Sequence, residues 1–183
     1  MCGKPHHLKG DNMNIIASIM LWASVMSPAM SIYDFSFTSI DGKEVKISDF
    51  RGKNILIVNT ASKCGFTKQY KDLQALHEEY GNELVIIGFP SDNFGGQELD
   101  SNAEILDFCE KNYGVNFLLS EKINVKGKDI NPLFKFLTTQ ENPDFTGDIK
   151  WNFEKFLIDK EGKLVHRYRS RVNPLDEVIV GKL

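Results

Sequence analysis

The 183-residue chain has little cysteine: Cys2, Cys64 and Cys109 are all there is. No two of them have the CxxC spacing of a redox helix or a zinc knuckle, and three are too few for a disulfide framework. One structural disulfide stays open, and so does a reactive thiol with a distant partner. Blocks of like charge are also missing. The 22 lysines and arginines and the 25 acids are interspersed, for a formal net charge of −3. That leaves no basic stripe for nucleic acid and no charged tail. The chain has no internal repeat and no low-complexity segment. His6 and His7 have only Cys2 nearby and lack the ordered spacing of a zinc site, so neither metal nor cofactor is expected. A comfortable membrane span is lacking too. The uncharged stretch from Ile15 to Met30 is short and interrupted by small residues and Pro28.

What is present divides into a leader (1–31) and one domain (32–183), long enough to bury a sizeable core. Pro28 followed by Ala29-Met30-Ser31 resembles the end of a signal peptide, with cleavage before Ile32. The charge before it is only Lys4 and Lys9, and none follows Met13. An uncleaved membrane-proximal anchor and an apolar leader on a cytoplasmic protein are the alternatives. A cleaved signal would make the protein secreted or extracytoplasmic.

Within the domain, the stretch from Ser31 to Asp41 alternates Tyr33, Phe35 and Phe37 with Asp34, Ser36 and Thr38, which predicts a half-buried strand. Asp41-Gly42-Lys43 turns it back into a hairpin arm over Lys43 to Ile47. Ile55 to Val58 and Leu84 to Phe89 are continuous apolar runs, which predict strands covered on both faces. Between them Tyr70, Leu73, Leu76, His77 and Tyr80 recur at helical spacing from Gln69 to Tyr80, giving a βαβ unit with parallel strands. Ser101 and Glu104 form a capping box for a helix to Tyr113, stopped by Gly114. A brief strand is expected at Ile123 to Lys126, a helix from Pro132 to Leu137 and a polar loop over 138–150. A hairpin of Phe153 to Ile158 with Lys163 to Tyr168 follows, then a short terminal helix. The order makes an α/β, thioredoxin-like fold: a central mixed sheet flanked by helices, with an N-terminal β-hairpin.

Cys64 occupies the loop between the first buried strand and its helix, where open α/β sheets bind ligands. A thiol just before a helix start sees backbone N–H groups and the positive end of the dipole, which favour thiolate. Lys63 adds a charge, so Cys64 is the candidate nucleophile. A lone cysteine is more often a small buried hydrophobe, and Cys109 after Phe108 fits that description nearly as well. His77 and His166 carry no Cys–His signature and are expected at the surface or rim.

Four segments, in order, resemble the glutathione peroxidase family in its cysteine form. Asn59-Thr-Ala-Ser-Lys-Cys-Gly-Phe-Thr67 resembles the active-site segment, and Gly88-Phe-Pro-Ser-Asp-Asn-Phe-Gly-Gly-Gln-Glu98 resembles the second signature. Lys150-Trp-Asn-Phe-Glu-Lys-Phe156 resembles the third, and Phe108-Cys-Glu-Lys-Asn-Tyr-Gly114 the helix that carries a resolving cysteine. The resemblance implies a catalytic tetrad of Cys64, Gln97, Trp151 and Asn152, with Cys109 resolving. It implies a peroxidase reducing hydrogen peroxide and organic or lipid hydroperoxides through a cysteine sulfenic acid. Thioredoxin or a similar dithiol is the expected reductant, with glutathione as the rival. The loop at 138–150 lacks the longer insertion of tetrameric members, so a monomer is expected. Ser91 stands where many cysteine-type members carry another cysteine, and Lys68 and Leu99 replace frequent prolines. No arginine cluster for glutathione is evident. A peroxide-sensing relay protein and a thiol–disulfide oxidoreductase of the same fold are the other readings.

Overall fold

The computed structural model describes Met1, Gly3 and residues 30–183, so the expected leader lies almost wholly outside the described residues. Strands β1 (Ser36–Thr38) and β2 (Glu44–Lys46) pair antiparallel around the Asp41-Gly42-Lys43 turn as a separate two-stranded hairpin. The longer strand expected from Ser31 is not formed. Ser31 and Asp34 instead make a reciprocal capping box that folds Ile32–Asp34 into a 3₁₀ turn, because their side chains satisfy the N–H groups a strand would use.

The main sheet is built on β3 (Asn54–Thr60), all seven residues of which are buried. Helix α1 (Gln69–Tyr80) crosses over to β4 (Leu84–Pro90), which pairs parallel with β3 from Asn54 opposite Leu84 to Thr60 opposite Pro90. Next come α2 (Asn102–Tyr113), β5 (Leu118–Leu119) and α3 (Pro132–Thr139). Strands β6 (Lys155–Ile158) and β7 (Leu164–Tyr168) and the short α4 (Glu177–Val180) complete the chain. The strand order is β5-β4-β3-β6-β7, with β6 antiparallel to β3 and β7 antiparallel to β6.

Alternation along the strands feeds two cores. Leu56, Val58 and Ile86 join Leu73 and Leu76 of α1, Ile105 of α2 and Ile179 of α4 on one face. Ile55, Ile57 and Ile87 join Phe37 of the hairpin and Phe134 and Leu137 of α3 on the other. Both faces are covered, which is why the strand sequences run apolar without a break.

Two element boundaries depart from expectation. Residues 123–126 form no strand: the Val125 N–H donates to Asn93 Oδ1 at 2.7 Å and the Ile123 N–H to the Pro90 carbonyl at 3.0 Å, so the segment is bound to a loop. The edge strand is β5, paired with Ile87 and Gly88. Strand β6 begins at Lys155 because Phe153 has φ 64°, the one positive value at a non-glycine among the described residues. Among those residues no helix is long and apolar enough to cross a membrane.

Candidate active site

The loop from Ala61 to Lys68 is held from inside by Thr67. Its hydroxyl donates to the Ala61 carbonyl at 2.8 Å and accepts from the Cys64 N–H at 2.9 Å. This pins the Cys64 backbone at the carboxyl end of β3 and leaves the thiol free and 9% exposed. The expectation that the start of α1 points its N–H groups at this thiol is corrected. The N–H groups of Gln69, Tyr70 and Lys71 are taken by the carbonyls of Phe66, Thr67 and Lys68. The donor that reaches the sulfur is the Phe66 N–H, 3.4 Å from Cys64 Sγ within the loop itself.

Gln97 is tied to this loop through its backbone, its carbonyl accepting from the Lys63 N–H at 2.9 Å. Its side-chain oxygen accepts from Asn152 Nδ2 at 3.1 Å, which orients the amide so that the nitrogen stays available as a donor. Asn152 is fully buried, and its Oδ1 has no protein partner. Trp151 is 41% exposed with its ring against Phe94, 5.8 Å between centroids. The three strand-end loops thus bring Cys64, Gln97, Trp151 and Asn152 to one end of the sheet.

Residues that sequence reasoning passed over hold this arrangement. Asn59, buried in β3, donates to the Trp151 carbonyl at 3.1 Å and accepts from the Glu154 N–H at 3.0 Å, while its own carbonyl takes the Phe153 N–H at 2.6 Å. These bonds lock the left-handed turn at Phe153 that presents Trp151 and Asn152. Glu154 and Arg167 form an ion pair in which neither side chain is exposed, 2.9 Å from Oε2 to Nη2. Glu154 Oε1 also accepts from Arg169 Nη1 at 2.7 Å and from the Lys150 N–H at 2.7 Å. Burial lowers the Arg167 pKa while Glu154 pulls it back up. The available signals were an amide inside an aliphatic run and a carboxylate inside a strand-forming segment. On the other flank, Glu98 Oε1 accepts from the N–H groups of Ser62 and Leu99 at 3.0 and 2.8 Å, joining the Cys64 and Gln97 loops.

Cys109 lies on the inner face of α2, wholly buried and free, with no bond to Cys64. Burial is the main cause that pushes its thiol up to about 12, so it is protonated and unreactive in this conformation. His166 sits at the rim, its ring nitrogen 3.2 Å from Asp144. His77 is half-buried against the Phe117 ring.

Two arginines and a lysine gather beside the Cys64 loop. The turn at Phe153 and the β6–β7 hairpin bring Lys150, Arg169 and Arg171 together with Phe66 and Trp151 around a groove of about 450 Å³ beside the Cys64 loop. A larger depression of about 490 Å³ between α3 and the β6–β7 hairpin has no cysteine in its lining.

The family model for glutathione peroxidase matches residues 32–138. A glutathione peroxidase homolog, BsaA, of Halalkalibacterium halodurans is 50% identical over 147 residues, covering 80% of this chain and 94% of that protein. Hydroperoxy fatty acid reductase gpx1 of Synechocystis sp. is 50% identical over 155 residues, covering 81% and 91%. The crystal structure of Trgpx in apo form superposes with a TM-score of 0.65 at 38% identity, covering 84% of this chain and 95% of that one. A free thiol on a strand-end loop, a neutral amide and indole at the same end of the sheet, and likeness over most of the domain converge, and the chain belongs to the glutathione peroxidase family as a thiol peroxidase.

Proposed function

We propose that Cys64 is the peroxidatic residue and that Gln97, Trp151 and Asn152 serve it, in a cycle resolved by Cys109. The observation that carries this is the hydrogen-bonded join of three loops around one free thiol: Phe66 N–H on Cys64 Sγ, Lys63 to Gln97, and Gln97 to Asn152. The Cys64 sulfur attacks the terminal oxygen of the hydroperoxide. An S–O bond forms, the O–O bond breaks, and the departing alkoxide takes the thiol proton to leave as an alcohol. Neutral amide and indole donors stabilise the charge passing from sulfur to oxygen without titrating themselves.

The Cys64 sulfenic acid then condenses with Cys109. The S–S bond forms, the S–O bond breaks, and the oxygen leaves as water with the Cys109 proton. A disulfide needs Cα atoms within roughly 7 Å; if the two cysteines lie farther apart than that, α2, whose inner face buries Cys109, must partly unwind to deliver it. An external dithiol of the thioredoxin type reduces the product. Glutathione is the second reading: the groove offers its carboxylates Lys150 and Arg171, while Arg169 is already paired with Glu154 in the same lining.

Peroxide-driven NADPH oxidation through thioredoxin and its reductase separates the readings. The two-cysteine cycle requires activity with thioredoxin that is lost in both Cys64→Ser and Cys109→Ser. Activity with glutathione that survives Cys109→Ser would make this a one-cysteine enzyme and overturn the resolving role. Rapid Cys64 oxidation without turnover on either donor would favour a peroxide-sensing relay.

A further inference from the structure

Phe153 lies at the centre of the turn that presents Trp151 and Asn152, and its backbone is held against its own preference. Its ring is buried edge-on against Tyr70, 5.5 Å between centroids, so the core needs a ring where φ 64° would suit glycine. In a trans peptide the N–H and the C=O point to opposite sides. The Phe153–Glu154 peptide is pinned on both. On one side the Glu154 N–H donates to Asn59 Oδ1 at 3.0 Å. On the other the Phe153 carbonyl accepts from Lys155 Nζ at 2.8 Å, from a side chain reaching back two residues. A lysine is a costly choice for that task. Lys155 is wholly buried, and its cross-strand neighbours Val58 and Tyr168 both belong to the core under α1 and α4. Asp72, Glu154 and Asp176 pull on its charge, but among the described residues none forms an ion pair with it. Its Nζ makes that one hydrogen bond. Burying an amine in apolar surroundings is unfavourable, so the bond to Phe153 is what accounts for the residue.

We infer that Lys155 is a positioning residue for the peroxide step: by holding the Phe153 carbonyl it keeps the left-handed turn that sets Trp151 and Asn152 beside Gln97. This rests on the reading that Trp151 and Asn152 serve Cys64. Lys155 acts through the backbone and not on the peroxide. Without it, Asn59 grips the peptide plane by one edge only, and a plane held by one edge can swing. Swinging it lets Phe153 relax out of the left-handed region and carries Asn152, its neighbour in the chain, off Gln97 Oε1. The sheet and its two cores stay packed while the donors lose their aim. The rate of the peroxide step therefore reports the role, and stability does not.

Lys155→Met keeps most of the side-chain length and removes the donor. Oxidation of Cys64 by hydrogen peroxide, followed by quenched mass spectrometry in a Cys109→Ser background, should slow about tenfold. Acrylamide quenching of Trp151 fluorescence, in a Trp22→Phe background, should rise roughly twofold as the turn loosens. Stability at pH 7 should not fall, because a thioether chain replaces a buried amine. Lys155→Gln retains an N–H donor and should be slowed less than Lys155→Met. A wild-type oxidation rate and wild-type quenching in Lys155→Met would overturn the inference. So would equal slowing of both variants with a parallel loss of stability, the mark of damaged packing. Trp151→Phe and Asn152→Ala separate this inference from the reading beneath it. If both oxidise Cys64 at the wild-type rate while quenching rises in Lys155→Met, the clamp on the turn stands and the role of Trp151 and Asn152 falls.

Discussion

Asn59 shows how one side chain governs the site without touching substrate. Its carboxamide bridges the Trp151 carbonyl and the Glu154 N–H, on either side of the left-handed Phe153. Asn59→Ala removes both bonds and leaves a buried turn unsupported, at a cost of about 2–3 kcal/mol. Because Trp151 and Asn152 then lose their fixed positions, kcat/KM for peroxide should drop on the order of tenfold or more. Urea unfolding and initial rates measure the two effects. A stability loss without a rate loss would show that the turn does not position the site. Glu154 is a second such residue. Glu154→Ala strands Arg167 as an uncompensated buried cation and should destabilise by about 3–5 kcal/mol. Adding Arg167→Met should recover part of that loss, and a double-mutant cycle tests it.

At the scale of elements, β3, α1, β4 and α2 were legible because their patterns are local. An apolar run covered on both faces, a helical repeat ending in Gly81, and the Ser101–Glu104 box each state their conformation within a dozen residues. Strand β5 was not legible, since two leucines become a strand only by pairing with Ile87 and Gly88 across the sheet. The apolar residues at 123–126 looked like a better strand, but the Asn93 side chain and the Pro90 carbonyl take their N–H groups. The site divides the same way. Cys64, Gln97, Trp151 and Asn152 sit in recognisable segments. Asn59, Glu154 and Arg167 hold those segments through contacts made at sequence separations of 13 to 95 residues. The cationic groove was missed for the same reason, as Lys150 and Arg171 meet only after the hairpin folds.

Across the whole molecule, the buried ionisable groups set a pH dependence whose sign can be worked out. Lys155, at the head of β6, is fully buried, with Nζ donating to the Phe153 carbonyl at 2.8 Å. Desolvation lowers its pKa from 10.5 to about 7, against the pull of Asp176, Glu154 and Asp72. From about pH 7 upward the unfolded chain therefore binds more protons than the folded one, so stability rises with pH. Near pH 9 the trend turns. Cys109 is raised from 9.0 to about 12, so there the folded state holds the extra proton and further alkali destabilises it. Chemical denaturation should show stability increasing from pH 7 to about 9. Lys155→Met should be more stable than wild type at pH 7 and should flatten that rise. A wild-type curve falling across this window would contradict the burial of an uncharged lysine.

Mass spectrometry of the protein after one equivalent of hydrogen peroxide tests most directly whether Cys64 takes the peroxide oxygen. Wild type should lose two hydrogens, with the disulfide mapped to Cys64 and Cys109, and Cys109→Ser should gain one oxygen at Cys64. Oxygen on Cys109 or Cys2 with Cys64 left as a thiol would contradict it.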